Sequence, residues 1–227
     1  MAIYINTPPV VTNGLILHLD AGNRLSYTSG STVWNDLSGN NNSGSLTNGP
    51  TFNSANQGSI VCDGSNDYVV MNKTITPTSN ITYIVFLWKN GTPQSAYAGI
   101  LVGREGTLSA LGIYMDSSGI NTWVFWNSSV VNGIPIPDQS WCMLAMTNTT
   151  GGNNIMYSYS STSKSIVTTN AAVNSVNNAT LYVGSDALNA GRYFNGRIGY
   201  SMIYNRALST QEINQNYNAL KNRYGLT

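Results

Sequence analysis

Charge is what this sequence has least of. Charged residues make up 8% of the 227-residue chain, against about a quarter of an ordinary soluble protein. Lys+Arg 10 nearly cancel Asp+Glu 9, and no basic run occurs, so neither nucleic acid nor an anionic membrane surface is an expected partner. Long apolar runs are missing too. The longest, Tyr83-Ile84-Val85-Phe86-Leu87-Trp88, falls far short of the roughly 20 residues of a spanning helix. The first residues lack the basic start and apolar centre of a secretion signal, so export by that route is not expected. Cysteine is confined to Cys62 and Cys142, spaced for neither a redox pair nor a zinc knuckle. Both lie in apolar segments and read as buried thiols, with a disulfide open because it depends on Cα spacing.

The residues of catalysis are equally scarce. Glu105 and Glu212 are the two glutamates and His18 is the single histidine. Glycoside hydrolysis normally takes two carboxyls about 5–10 Å apart, and no acidic cluster of that kind is written here. A Ser-His-Asp triad would have to use His18, yet no Gly-x-Ser-x-Gly elbow supplies the nucleophile. His18 alternates with Leu17 and Leu19 and reads as a strand residue on the more polar face. The glycine-rich stretches match neither a phosphate loop nor a dinucleotide fingerprint. No enzyme is expected.

What is present is Asn, Ser, Thr and Gly between short apolar segments. Asn-Gly recurs at 13–14, 48–49, 90–91, 132–133 and 195–196, a dipeptide that suits the positive φ of tight turns. Strands are expected at 15–19, 59–62, 68–71, 81–88, 100–103, 111–115, 122–126, 141–148, 154–160, 165–169, 180–184 and 194–204, enough for two stacked sheets. Both alternating sets of 81–88 are apolar, which predicts a central strand covered on both faces. In 154–160 the set Ile155, Tyr157 and Tyr159 opposes Ser158 and Ser160, the pattern of a half-solvated strand. Ser209-Thr210-Gln211-Glu212 forms a capping box. Ile213, Tyr217, Leu220 and Tyr224 follow as one helical stripe, ended by Gly225. Residues 1–13, with Ile3, Tyr4, Ile5, Pro8 and Pro9, read as an extended arm ahead of one domain, 14–227.

Two chemistries remain for the loops and rings. A hard cation such as calcium takes Asp, Asn and backbone oxygens, and Asp63-Gly64-Ser65-Asn66-Asp67, with Asp20 added, is the best candidate set. The competing role of Asp63 and Asp67 is to accept from turn amides. Five Trp and fourteen Tyr offer apolar rings for sugars to stack on. Trp123 and Trp126, three apart in a strand, face opposite surfaces; Trp126, followed by Asn127, is the candidate for an exposed ring.

Two further stretches carry a resemblance. Trp34-Asn35-Asp36-Leu37-Ser38-Gly39-Asn40-Asn41-Asn42-Ser43-Gly44 with Cys62-Asp63-Gly64-Ser65-Asn66-Asp67-Tyr68-Val69, and Phe194-Asn195-Gly196-Arg197-Ile198 with Ile203-Tyr204-Asn205-Arg206-Ala207-Leu208-Ser209, are similar to the opening and closing signatures of laminin-G-like domains of the concanavalin A-like lectin/glucanase superfamily. Gly199 stands where many relatives have Asp, and Cys62 where they have Phe. The resemblance implies an all-β jelly-roll sandwich of two antiparallel sheets with one short C-terminal helix. Such domains occur in adhesins, on polysaccharide-active enzymes and in structural proteins of tailed phages. With the charge-poor surface and the arm, this implies a non-enzymatic virion protein, either a head decoration protein or a fibre-like appendage. It would be a homo-oligomer held to other capsid or tail proteins by the arm, and a host-surface glycan is the possible ligand. The alternative is a carbohydrate-binding module or adhesin of a bacterial surface.

Overall fold

The computed structural model describes residues 8–76, 80–92, 94–106, 109–126, 129–149, 154–169, 178–186, 188–189 and 191–227. The strands are β1 (Leu15–Asp20), β2 (Val33–Trp34), β3 (Gly44–Thr47), β4 (Thr51–Asn53), β5 (Ser59–Asp63), β6 (Tyr68–Ile75), β7 (Ile81–Lys89), β8 (Gly99–Glu105), β9 (Ser109–Met115), β10 (Asn121–Trp126), β11 (Ser129–Pro135), β12 (Trp141–Asn148), β13 (Asn154–Ser160), β14 (Lys164–Thr169), β15 (Ala179–Val183) and β16 (Asn195–Tyr204). The helix α1 (Thr210–Leu220) follows, continued by a 3-10 turn over Lys221–Tyr224. Every expected strand is present. The additions β2, β3, β4 and β11 lie in Ser-, Asn- and Gly-rich sequence, where cross-strand pairing overrides weak local preference.

The strands form two antiparallel sheets. The first runs β14-β13-β12-β7-β16-β5-β4, with β1 also on β16, and the second runs β11-β10-β9-β8-β15-β6-β3-β2. Between them lies the main core, to which β7 contributes Ile81, Tyr83, Val85 and Leu87. Its alternate residues Ile84 and Phe86 enter a second apolar layer on the outer side of the first sheet, roofed by Ile213 and Tyr217 of α1 with Tyr224 and Leu226. The double apolar pattern of this strand thus has a direct cause: it is covered above and below.

The same layer corrects the reading of β13 as half-solvated. Tyr157 and Tyr159 lie under the helix layer, and Tyr159 meets Tyr217 edge-on with ring centroids 5.1 Å apart. Ser158 and Ser160, on the opposite face, are only 3% exposed. Both faces are buried, and the tyrosine face looks away from the sandwich interior.

Two Asn-Gly pairs likewise are strand residues: Asn132-Gly133 lies within β11 and Asn195-Gly196 opens β16. A Cβ on Gly196 would strike the Trp88 carbonyl and the Phe194 ring, so close approach is what calls for glycine there. The turn role holds at Asn48-Gly49, where both φ are positive, 67° and 109°.

Gly199 sits at an irregularity of the longest strand, β16. The first half of β16 borders β5 and the second half borders β1, and the register against β7 shifts between Ile198 and Tyr200. At this bulge the Gly199 carbonyl accepts from the Ala21 amide at 3.0 Å. A Cβ would press into the Tyr224 ring, 2.9 Å from Cζ. The residue that replaces the relatives' Asp therefore makes room for an aromatic of the C-terminal turn.

Of the expected arm, Val10 and Val11 pack against this layer. Val11 donates to Asn216 Oδ1 at 2.8 Å and accepts from the Tyr204 hydroxyl at 2.9 Å, while the Pro9 carbonyl accepts from Gln215 at 2.8 Å. Pro8 and Pro9 are exposed at its start; Ile3, Tyr4 and Ile5 lie outside the described residues. Residues 9–13 hold to their own helix because it offers a buried amide side chain at Asn216. Cys62 and Cys142 are both buried and free, and burial pushes the Cys142 thiol up to about 12.

The capping box is present as read. Ser209 Oγ accepts from the Glu212 amide, and Glu212 Oε2 accepts from the Ser209 amide at 2.9 Å. Arg206 grips the same carboxylate through two nitrogens, 3.0 and 2.5 Å away, and holds it down at about 2. The ionised carboxylate is favoured by the fold, so its contribution is full above the ordinary value of 4.5 and is lost as pH falls toward 2.

Two measurements follow from this architecture. Gly199→Ala is expected to destabilise the domain by about 1–3 kcal/mol in urea denaturation, because the Tyr224 ring must be displaced. Glu212→Gln is expected to flatten the fall in stability between pH 4.5 and 2; an unchanged acid limb would assign that fall to other carboxylates.

Candidate functional site

The two halves of the sequence signature are structural. Asp36 Oδ1 accepts from the amides of His18 and Ser38, both at 2.9 Å, and Oδ2 accepts from the Ser38 hydroxyl at 2.7 Å and the Asn42 amide at 2.9 Å. Ser38 and Asn42 in turn donate to the Ile16 carbonyl. The motif is a carboxylate hub that lashes its loop to β1. Asp63 Oδ1 accepts from the Ser65 amide at 2.8 Å, and Asp67 Oδ2 accepts from the Asp63 amide at 3.2 Å. The Ser65 amide lowers the Asp63 pKa, whereas burial, with Asp63 alongside, raises that of Asp67.

The calcium set is not assembled. Asp20 is paired with Arg223 at 2.6 Å, and among the described residues no three of His, Cys, Asp and Glu come together to hold a metal ion. His18 lies on β1 with its Nε2 hydrogen-bonded to the Tyr200 hydroxyl. Burial lowers its pKa against the opposing pull of Asp20 and Asp36.

Trp126 ends β10, where it pairs with Ser129; Asn127 lies outside the described residues. The side chains of Trp123 and Trp126 lie outside the described residues; β10 pairs with β9 with position 122 opposite Met115 and position 124 opposite Ile113, both core residues.

The outer face of the second sheet, on the side of Tyr114, is not covered by α1, which packs on the first sheet. Val102 of β8 and Ala110 of β9 form its floor with Tyr114, and Tyr97 packs beside them. Tyr68 of β6 and Tyr182 of β15 stand next to them with ring centroids 6.0 Å apart. Burial raises the pKa of both Tyr114 and Tyr182.

Charge, scarce elsewhere, converges here. Asp186, fully buried after β15, accepts from Arg104 Nε at 2.6 Å and Nη2 at 2.7 Å, from Arg192 Nη1 at 2.9 Å and from Asn189 Nδ2 at 2.9 Å. Burial opposes the charge on Arg104, yet the Asp186 carboxylate holds its pKa above the ordinary value. The network ties the 186–192 loop to β8. Arg192 remains 29% exposed, its guanidinium 4.9 Å from the Tyr97 ring centroid. On this face Val102, Ala110, Tyr114 and Tyr182 are buried, Tyr68 and Tyr97 are half-buried, and Arg192 is an accessible cation at the edge. Sequence reading missed these residues because they come from four separate strands and two loops; the scarcity of charge was the one available signal.

Comparison with known proteins places this geometry in a family. The model of the Laminin_G_3 family, described as concanavalin A-like lectin/glucanases superfamily, matches residues 63–214. No curated protein sequence matches the chain significantly. Among solved structures, domain 4 of AbnA, a GH43 extracellular arabinanase from Geobacillus stearothermophilus in complex with arabinotriose, is 18% identical with a TM-score of 0.69, covering 90% of this chain and 98% of that one. Trypanosoma rangeli sialidase is 14% identical with a TM-score of 0.67 over 98% of this chain, which spans 36% of the sialidase. The botulinum neurotoxin serotype D ligand binding domain in complex with N-acetylneuraminic acid is 15% identical with a TM-score of 0.65 over 90% of this chain and 50% of that one. With two stacked antiparallel sheets, a helix on one outer face and a family match over most of its length, the chain belongs to the concanavalin A-like lectin/glucanase superfamily as a Laminin_G_3 domain.

Proposed function

We propose that this domain binds carbohydrate without cleaving it, through the outer face of the second sheet. The observation that carries the reading is the asymmetry of the sandwich. One outer face is sealed by α1; on the other, half-buried Tyr68 and partly exposed Arg192 flank the buried Tyr182, Tyr114, Val102 and Ala110. Tyrosine suits a sugar, since its ring stacks on the apolar face of a pyranose while its hydroxyl meets the rim. The Arg104–Asp186 pair fixes the loop beforehand, which lowers the ordering cost of binding. Structures of the same fold in complex with arabinotriose and with N-acetylneuraminic acid support the ligand class.

Scarcity of acids supports binding over hydrolysis. Asp186 is saturated by two arginines and an asparagine, and Glu212 is held by Arg206 and the helix cap. Neither is poised as one of the two carboxyls that glycoside hydrolysis takes.

We also propose display on a phage particle, on the charge-poor surface noted in the sequence. Mass spectrometry of purified particles is expected to detect the chain, and absence from every particle fraction would remove that location.

The binding reading is tested on a glycan array followed by calorimetry on the best ligand. Tyr68→Ala is expected to weaken binding by about 1–2 kcal/mol, a factor of about 5–30, with the thermal transition retained. Wild-type protein that binds no glycan on the array, or a Tyr68→Ala variant that binds as tightly as wild type, would overturn it.

A further inference from the structure

A second recess lies away from this face, where the chain crosses from one sheet to the other. Two adjoining hollows of about 400 and 350 Å³ share Tyr27, Ser29 and Phe52, each within the roughly 300–1,000 Å³ of small-molecule sites. One wall is β4, the last strand of the first sheet, whose outward backbone groups face no further strand. The other is the 27–32 loop, which leads into β2 at the end of the second sheet. Tyr27 and Phe52 floor the recess with ring centroids 5.4 Å apart.

The walls are set before any ligand arrives. Tyr27 donates its hydroxyl to the Ser31 carbonyl at 3.0 Å, its amide is held by the Asn23 carbonyl at 2.8 Å, and Ser26 Oγ ties the loop to the Asn35 carbonyl at 2.6 Å. The side chains of Ser29, Thr32 and Thr51, which line the first hollow, make no hydrogen bond among the described residues. Three hydroxyls therefore stand unused around an aromatic floor.

The charge census singles out Arg24. All ten Lys and Arg are among the described residues. Arg104 and Arg192 hold Asp186, Arg206 holds Glu212 and Arg223 holds Asp20. Lys73 donates to the Asn40 carbonyl and Lys89 to Thr92, while Lys164 lies over Tyr217 and Arg197 over Trp88. Only Arg24 and Lys221 have no side-chain partner among the described residues, and Arg24 lines the second hollow. Neither hollow is lined by Asp or Glu, and the nearby Asp20 is already neutralised by Arg223 at 2.6 Å. An unpaired guanidinium with no competing acid selects a carboxylate, which it can grip through two parallel hydrogen bonds.

We propose that this recess is a second binding site, for a carboxylate-bearing sugar of the uronic or sialic acid class. Its ring packs on Phe52, its hydroxyls meet Ser29, Thr32 and Thr51, and its carboxylate meets Arg24. The proposal rests on the carbohydrate-binding reading and adds a separate site with a charge preference that the tyrosine face does not impose. Two sites on one rigid domain can engage one polysaccharide chain together, so that avidity exceeds either affinity.

Amide-resolved NMR titration of the full chain tests it, with glucuronate and N-acetylneuraminate as probes and glucose and acetate as controls. The acidic sugars are expected to shift the amides of 29–32 and 51–53, and to bind about tenfold or more tightly there than either control. Arg24→Gln, a change at an exposed residue, is expected to erase the preference over glucose, and Phe52→Ala to weaken every sugar. Unshifted amides in both segments, or an Arg24→Gln variant that still prefers the acidic sugars, would overturn the proposal. Shifts confined to Arg104, Tyr114 and Tyr182 would remove the recess and leave the tyrosine face; shifts confined to the recess would remove the face and leave the recess.

Discussion

An antiparallel sheet has two faces, and stacking two sheets buries only one face of each. What becomes of the remaining pair decides everything else in this molecule. On the first sheet, strand β7 is apolar on both sides, and the outward set Ile84 and Phe86 is closed off by α1, Tyr224 and Leu226. The helix is short and draws its stability from that packing more than from its own hydrogen bonds. Its capping box and the Arg206 clamp on Glu212 set where it begins, and Gly199 gives up a side chain so that Tyr224 can close the layer. The helix is thereby committed to the first sheet.

The second sheet is held differently. A buried ion pair adds little net stability when its desolvation cost is counted, but removing one partner leaves an unpaired charge and is strongly unfavourable. The Asp186 network is of this kind: it constrains the 186–192 loop against β8 while contributing little to the core. A surface otherwise built from neutral hydroxyls and amides thus keeps its few charges where geometry must be fixed, at Asp186, Glu212 and Asp20, and leaves Arg24 unpaired beside a recess.

Legibility in the sequence tracked locality. The capping box at Ser209–Glu212, the double-faced strand at 81–89 and the turn at Asn48-Gly49 depend on residues within a few positions of one another, and all were readable. The face of β13 was misjudged because alternation reports which side is apolar and is silent on which neighbour covers it. Asp20, grouped in sequence with Asp63 and Asp67, is paired with Arg223, more than two hundred positions away.

From the linear order of residues alone came the two-sheet architecture, the capped C-terminal helix, the buried thiols and the poverty of catalytic groups, since each follows from periodicity, composition or contacts a few residues apart. Tertiary structure alone decided which sheet face the helix covers, where the rare charges meet, and that Val11 of the N-terminal segment bonds to Asn216 and Tyr204. Those outcomes depend on strand register and on partners brought together by closing long loops, and no spacing along the chain encodes which distant group will satisfy a given charge.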